Sequence, residues 1–110
     1  MLKKIFKAND VVTIKLVSGE EVIGYYVSQD ADEIILRKPV VPIATAEGKM
    51  LLAPYIMSSD YLREQGGELP FSKMATVTTV VTSKSFRDVY VSQVSGFDPS
   101  IGSSSGLITT

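Results

Sequence analysis

Alternating apolar and polar residues near the start of the chain predict two consecutive β-strands. In the first, at 11–17, Val12 and Ile14 are separated by polar residues, a period of two that is typical of a strand with one buried face. The second is predicted from about 21 to 29. Gly24 inside it indicates a sharp bend or a close backbone approach, because glycine has no side chain to pack.

Prolines restrict the middle of the chain. A third strand is predicted to begin at Glu33. Pro39 and Pro42 limit its later half to an edge or a strand end, since proline has no amide hydrogen to donate. Residues 46–49 then form a predicted hairpin tip, which leads into a fourth strand at 50–57.

The stretch 58–73 is predicted to be the longest loop of the domain, because it is mostly polar and contains paired glycines and serines. Long loops in compact domains tend to be functional or mobile. Strand-forming residues return at 74–81, a segment without proline and with few charges.

Residues 83–95 are compatible with two structures. Ser83 as N-cap and Gly96 as the stop favour a helix. The apolar face of that helix would contain Phe86, Val89, Tyr90 and Val94. The alternation of Val89 and Val91 fits a sixth strand instead. We favour the helix.

A chain of 110 residues fits one domain. We divide it into an N-terminal segment (1–10), a folded region (11–96) and a flexible tail (97–110) that is rich in serine and glycine. Consecutive short strands joined by tight turns, with the second strand bent, predict a mainly β fold. The architecture that fits is a small, strongly bent barrel of five strands, with a short C-terminal helix if 83–95 is helical.

Composition restricts the chemistry. The chain contains neither cysteine nor histidine, which removes thiol nucleophiles, disulfides, ordinary zinc sites and Ser-His-Asp catalysis. We therefore predict a protein that is not an enzyme, with no catalytic residues, cofactor or metal. The net charge of −1 provides no broad positive field for nucleic acid. No apolar run approaches the roughly 20 residues of a membrane-spanning helix, and a cytoplasmic location without membrane contact is predicted.

Residues 16–36 resemble the first signature of the Sm and Sm-like (LSm) proteins. Gly19 corresponds to the turn glycine of that signature, Gly24 to the glycine of its bent second strand, and Asp30 to the acidic residue that follows. The chain more specifically resembles phage-borne, cyanophage-type Sm-like proteins, through its segments 18–21, 38–41 and 52–55.

This resemblance implies an SH3-type barrel that assembles into a homo-oligomeric ring of about five to seven subunits. In the family, strand four of one subunit pairs with strand five of the next. Edge chemistry favours the same result, because an unpaired strand such as 74–81 invites aggregation. A bacterial or phage-infected cell is the implied location.

The uridine pocket of the family is not reproduced. Gln29 stands where the family has an aromatic or apolar residue, and Glu33 or Ile34, depending on alignment, stands where it has asparagine. The Arg-Gly pair of the second family signature has no convincing counterpart. A carboxylate at Glu33 would repel a phosphodiester. The fold is thus expected to carry over, and the uridine-specific site is not.

Four residues are the candidate RNA contacts: Asp30, Arg37, Lys38 and Tyr55. The two basic residues could join other lysines in a rim around the ring, and Tyr55 is the best-placed aromatic residue for base stacking. The acidic turn 30–33 could also hold Ca²⁺ or Mg²⁺ weakly, but a solvated turn is the favoured interpretation.

Two functions remain open from the sequence. The first is a ring-forming Sm-like module that contacts RNA. The second is a structural scaffold that binds host or phage proteins and has lost the uridine pocket.

Overall fold

The computed structural model describes residues 5–95 and shows a mainly β fold with one C-terminal helix. Its strands are β1 (Val11–Leu16), β2 (Glu21–Gln29), β3 (Glu33–Ala44), β4 (Met50–Pro54), β5 (Glu68–Ser72) and β6 (Thr76–Val81). Two 3₁₀ turns lie at Tyr61–Arg63 and Lys73–Ala75, and helix α1 spans Lys84–Ser95. The predicted flexible tail at 97–110 lies outside the described residues, as do Gly96 and residues 1–4.

All pairs in the sheet are antiparallel, and the strand order is β4-β3-β2-β1-β6, with β5 also paired to β3. The prediction of a barrel of five strands is wrong in two respects. The sheet has six strands, and within residues 5–95 its edges do not pair with each other.

The sixth strand arises because two short strands share the long β3. β5 pairs with its first half, from Glu33 to Arg37, and β4 pairs with its second half, from Val40 to Ala44. The predicted loop at 58–73 is therefore wrong in its second half, since 68–72 is a strand. That strand has only two apolar positions, one on either side of Pro70, too few to stand out as a pattern.

β3 does not end at its prolines. Ile23 pairs with Val40 and Tyr25 with Arg37, so β3 has one more residue than β2 between these pairs, which makes a β-bulge. Pro39 lies in this bulge. Pro42 lies beyond the last pair with β2, where no ladder hydrogen bond to that strand is lost.

Gly24 confirms the predicted close approach of two strands. A Cβ atom on Gly24 would lie 3.1 Å from the Cβ of Leu36 and 3.3 Å from the carbonyl oxygen of Arg37. Both contacts are tighter than side chains normally make, so β2 and β3 can cross at this distance only because residue 24 has no side chain.

Two hydrophobic clusters lie on opposite faces of β1. The first lies on one face of the sheet and consists of Val12, Ile14, Leu16, Val22, Tyr26, Ile34, Leu36 and Phe71. The second lies on the other face, under α1 and the 3₁₀ turn at 61–63, and consists of Val11, Ile23, Val40, Tyr61, Leu62, Tyr90 and Val94. Strand alternation sends neighbouring residues to different clusters.

The helical interpretation of 83–95 is confirmed. α1 spans Lys84–Ser95 and buries Tyr90 and Val94. The amide of Arg87 donates to the carbonyl oxygen of Ser83 at 2.9 Å, which makes Ser83 the N-cap residue, as predicted. Across residues 5–95 no helix has the length and apolar character needed to cross a membrane.

Candidate assembly surface

The outer edge of β6 is open and apolar. Three of its six residues are valines that keep much of their surface in solvent: Val77 (63% exposed), Val80 (44%) and Val81 (54%). Val81 pairs with Val12 across the β1–β6 ladder, and directly opposite residues share a face of the sheet. Val81 thus lies on the same face as the first cluster, where Val12 is fully buried, yet it remains half exposed.

Hydrogen-bond direction shows which groups this edge presents. The amide of Thr82 donates to the carbonyl oxygen of Val11 at 3.1 Å. Bonded and non-bonded positions alternate in an antiparallel ladder, so Thr78 and Val80 also bond toward β1. Thr79 and Val81 direct their amide and carbonyl groups outward, along the open edge. β6 contains neither proline nor charge, the two features that most often protect an exposed edge.

The outer edge of β5 is different. The amide of Lys38 donates to Gly67 at 2.8 Å and that of Lys73 donates to Asp32 at 2.9 Å, so the odd-numbered residues of β5 bond to β3. The even-numbered residues point outward, and one of these is Pro70. Pro70 has a carbonyl oxygen but no amide hydrogen. The outer edge of β5 therefore has one amide donor fewer than a regular strand.

Asp30, the first predicted RNA contact, closes the β2–β3 turn. Its Oδ1 accepts hydrogen bonds from the amides of Asp32 at 2.8 Å and Glu33 at 2.9 Å. These two bonds, that from Glu33 first, lower the pKa of the exposed Asp30 carboxyl below its ordinary value. Among residues 5–95, no group of three or more carboxylates is placed to hold a metal ion.

Arg37 and Tyr55 lie in separate surroundings. The Arg37 guanidinium lies 4.4 Å from the centroid of the Tyr25 ring and donates to Oδ1 of Asn9 at 3.2 Å. Tyr55 follows β4 and is half-buried, with its ring centroid 5.1 Å from that of Phe71. Tyr55 therefore packs against both hydrophobic clusters and is only partly exposed.

Lys38 is not at the surface. Its side chain is fully buried, because β3 bends inward at the bulge and residue 38 has a φ of +54°. It therefore cannot join a basic rim. The four predicted RNA contacts thus lie in four different environments. The sequence did not predict that the side chain of Lys38 would be buried.

A groove of about 720 Å³ lies between α1 and the second half of β3. Its lining includes Val41, Ile43 and Phe86, with Glu20 from the β1–β2 turn, Glu21 at the start of β2 and Lys49 from the β3–β4 turn. A mainly apolar lining in which two carboxylates outnumber one lysine does not favour a phosphate backbone. The groove therefore adds nothing to the case for RNA.

Comparisons with known proteins found distant likenesses in structure only. No family model and no curated protein match the sequence. A heptameric archaeal Sm protein is similar over 69% of this chain and 90% of its own, at 13% identity and a TM-score of 0.45. A chain from the NatC complex bound to CoA is similar over 79% of this chain and 99% of its own, at 10% identity and a TM-score of 0.46. By themselves, likenesses this distant assign neither a family nor a function.

Proposed function

We propose that this chain is an Sm-like assembly module whose copies join edge to edge in a homo-oligomeric ring. The observation that supports this is Val81, which shares a face of the sheet with buried Val12 and is still 54% exposed. A strand from a second copy, paired along Thr79 and Val81, would cover it. It would also satisfy the outward amide and carbonyl groups of β6.

In this proposal the partner strand is β5 of the next copy, whose outer edge lacks one amide at Pro70. β5 has five residues and β6 has six, so the two can pair along their lengths. Different surfaces meet in such a contact, which makes the interface head-to-tail. It closes into a ring when a whole number of rotations between neighbouring copies makes a full turn. The Sm resemblance implies a ring of about five to seven subunits. This module has no enzymatic role in our proposal.

RNA contact is the second candidate function, and Arg37 is the predicted contact residue that best supports it. Its guanidinium is partly exposed beside Tyr25, and a ring would repeat this pair in every subunit. Arginine over an aromatic ring is a common element of single-strand recognition. Asp30 and Tyr55 remain hypotheses for the same role. Without RNA binding, the ring is a scaffold for proteins of a phage or its host in the bacterial cytoplasm.

Native mass tests the assembly. Wild type and two variants, Val81→Lys and Val17→Lys, are compared by size-exclusion chromatography with light scattering at low and high concentration. Val17 is 66% exposed and outside β6, so it matches Val81 in chemistry but not in location. We expect a discrete ring for wild type and Val17→Lys. A monomer with unchanged circular dichroism is expected for Val81→Lys, because a lysine would interrupt the subunit contact.

A monomeric wild type at every concentration would contradict the proposal, as would a Val81→Lys variant that keeps the ring mass. The same preparations, titrated with oligo-U and oligo-A at two salt concentrations, distinguish the second candidate function from the scaffold. Affinity that falls steeply with salt supports RNA contact, and absence of binding at low salt supports the scaffold.

A further inference from the structure

Lys38 is the only charged side chain that is buried within residues 5–95. Its ammonium donates to the carbonyl oxygen of Leu62 at 2.8 Å and to that of Glu64. An ammonium removed from water must recover its hydrogen bonds from the protein. The position of these two carbonyls is therefore tied to Lys38.

The carbonyls belong to the segment that joins β4 to β5, residues 55–67, which we call the strap. Leu62 lies in the 3₁₀ turn of the strap and Glu64 directly follows that turn. Carbonyls at the end of a helical turn lack amide partners from the turn itself and carry partial negative charge. A cation is the partner that such a site prefers, so Lys38 fixes the turn.

The backbone of Lys38 holds the other end of the strap. Its amide donates to the carbonyl oxygen of Gly67 at 2.8 Å, and β5 begins at the next residue, Glu68. The fit is close, because a Cβ atom on Gly67 would lie 2.9 Å from Cδ of Lys38 and 2.7 Å from the carbonyl oxygen of Tyr61. Gly67 also has a φ of +61°, which disfavours any side chain. One residue thus anchors both the strap turn and the start of β5.

We infer that Lys38 is the positioning residue of the assembly edge: its buried ammonium holds the strap so that β5 lies along β3 with its outer edge ready for the next subunit. This inference rests on the proposed function only where it says that the outer edge of β5 binds the next subunit. The strap and β5 are predicted to be one unit that detaches together when the ammonium is removed, while β1 and β2 remain folded.

Hydrogen exchange measured by mass spectrometry tests the inference on the full chain. Lys38→Met keeps most of the side-chain volume and removes the ammonium, and Lys49→Met serves as the control at an exposed lysine in the β3–β4 turn. We expect exchange over residues 55–72 to accelerate at least about tenfold in Lys38→Met. Exchange in β1 and β2 should stay within about twofold of wild type, and Lys49→Met should match wild type throughout.

A second pair of variants displaces the strap while leaving the ammonium in place. Gly67→Ala forces the contact with Lys38, whereas Gly66→Ala enters open space. We expect Gly67→Ala to reproduce the regional acceleration and Gly66→Ala to show none. Unchanged exchange over 55–72 in Lys38→Met overturns the inference. So does equal loss of protection across the whole chain in both Lys38→Met and Gly67→Ala, because Lys38 would then hold the entire fold.

Measuring the native mass of the same variants shows whether a failure concerns this inference or the proposed ring. If wild type is a ring, Lys38→Met should fall to smaller species while Lys49→Met keeps the ring mass. If wild type is a monomer, the ring proposal fails, and the exchange pattern still decides whether Lys38 positions β5.

Discussion

The two hydrophobic clusters are built by different means. The first takes seven of its eight buried residues from β1, β2 and β3, and packing of apolar side chains is sufficient to explain it. The second contains two tyrosines, Tyr61 and Tyr90, whose hydroxyl groups bond to the backbone of β3. The second cluster therefore depends on polar contacts to the backbone as well as on apolar packing.

The hydroxyl groups of the second cluster meet the β3 bulge. The Tyr90 hydroxyl lies 2.7 Å from the carbonyl oxygen of Lys38 and 3.1 Å from that of Arg37, and the Tyr61 hydroxyl donates to the carbonyl oxygen of Pro39. A bulge interrupts the strand ladder and leaves backbone groups unpaired. The Tyr61 hydroxyl thus serves the carbonyl of Pro39, and the single proton of the Tyr90 hydroxyl is shared between the carbonyls of Lys38 and Arg37, with Lys38 the nearer. α1 and the strap therefore stabilise the bulge in β3 through these hydrogen bonds.

The largest effect is expected from the first cluster. Ile14 is fully buried, and truncating a buried isoleucine removes apolar contacts and leaves a cavity. We expect Ile14→Ala to lower the free energy of unfolding by about 2–5 kcal/mol in urea titrations. Val17→Ala, at a residue that is 66% exposed, should change it by less than about 0.5 kcal/mol. Equal effects of the two variants would show that the first cluster is not the main core.

A smaller effect is expected from the polar contacts of the second cluster. Tyr90→Phe keeps the ring, which packs edge-on against Tyr25 with 5.1 Å between centroids, and removes only the hydroxyl. The bulge carbonyls would then be buried without that donor, and we expect a loss of about 1–3 kcal/mol in the same titrations. No measurable loss would mean that apolar packing alone holds α1 in place.

Alkaline pH probes the same hydroxyl. Burial raises the pKa of Tyr90 well above its ordinary value, and burial also raises that of Tyr61. The unfolded chain ionises these groups near their ordinary pKa of about 10 while the folded chain keeps them neutral. Stability should therefore fall as pH rises above about 10, and Tyr90→Phe should fall less steeply than wild type. A parallel decline of both proteins would contradict this assignment.

The contrast between the clusters also explains why the sequence predicts the strands of the first cluster but not the polar contacts of the second. The strands that form the first cluster follow from alternation: the second strand was predicted with its observed bounds, Glu21–Gln29, and the role of Gly24 follows from its place in that strand. The burial of Lys38, and the strand hidden in 58–73, could not be predicted. Lysine and proline are normally surface or edge residues, and only the partners brought by the strap reverse that preference.

The candidate site divides in the same way. The unprotected chemistry of β6 could be read from its residues, since an absence of proline and charge is a local property. The RNA contacts could not, because they depend on which residues the fold brings together. Arg37 and Lys38 are adjacent in sequence, yet one stacks on Tyr25 near the surface and the other is fully buried.

The smallest effect is expected where the same kind of side-chain-to-backbone bond is made in solvent. Asp30 accepts two amide hydrogen bonds in the β2–β3 turn, and these lower its pKa. Because the folded pKa lies below the unfolded value of about 3.9, the bonds stabilise the protein above that pH and are lost as pH falls through the folded pKa. Asp30→Ala should lower the melting temperature slightly at pH 7, by less than Tyr90→Phe. Asp30→Asn keeps a side-chain acceptor for the turn but cannot ionise. Its melting temperature should therefore fall less than that of wild type as the pH is lowered through the folded pKa of Asp30. If Asp30→Ala is as costly as Tyr90→Phe, solvent exposure is not what separates the two contacts, and the comparison between buried and exposed polar bonds fails.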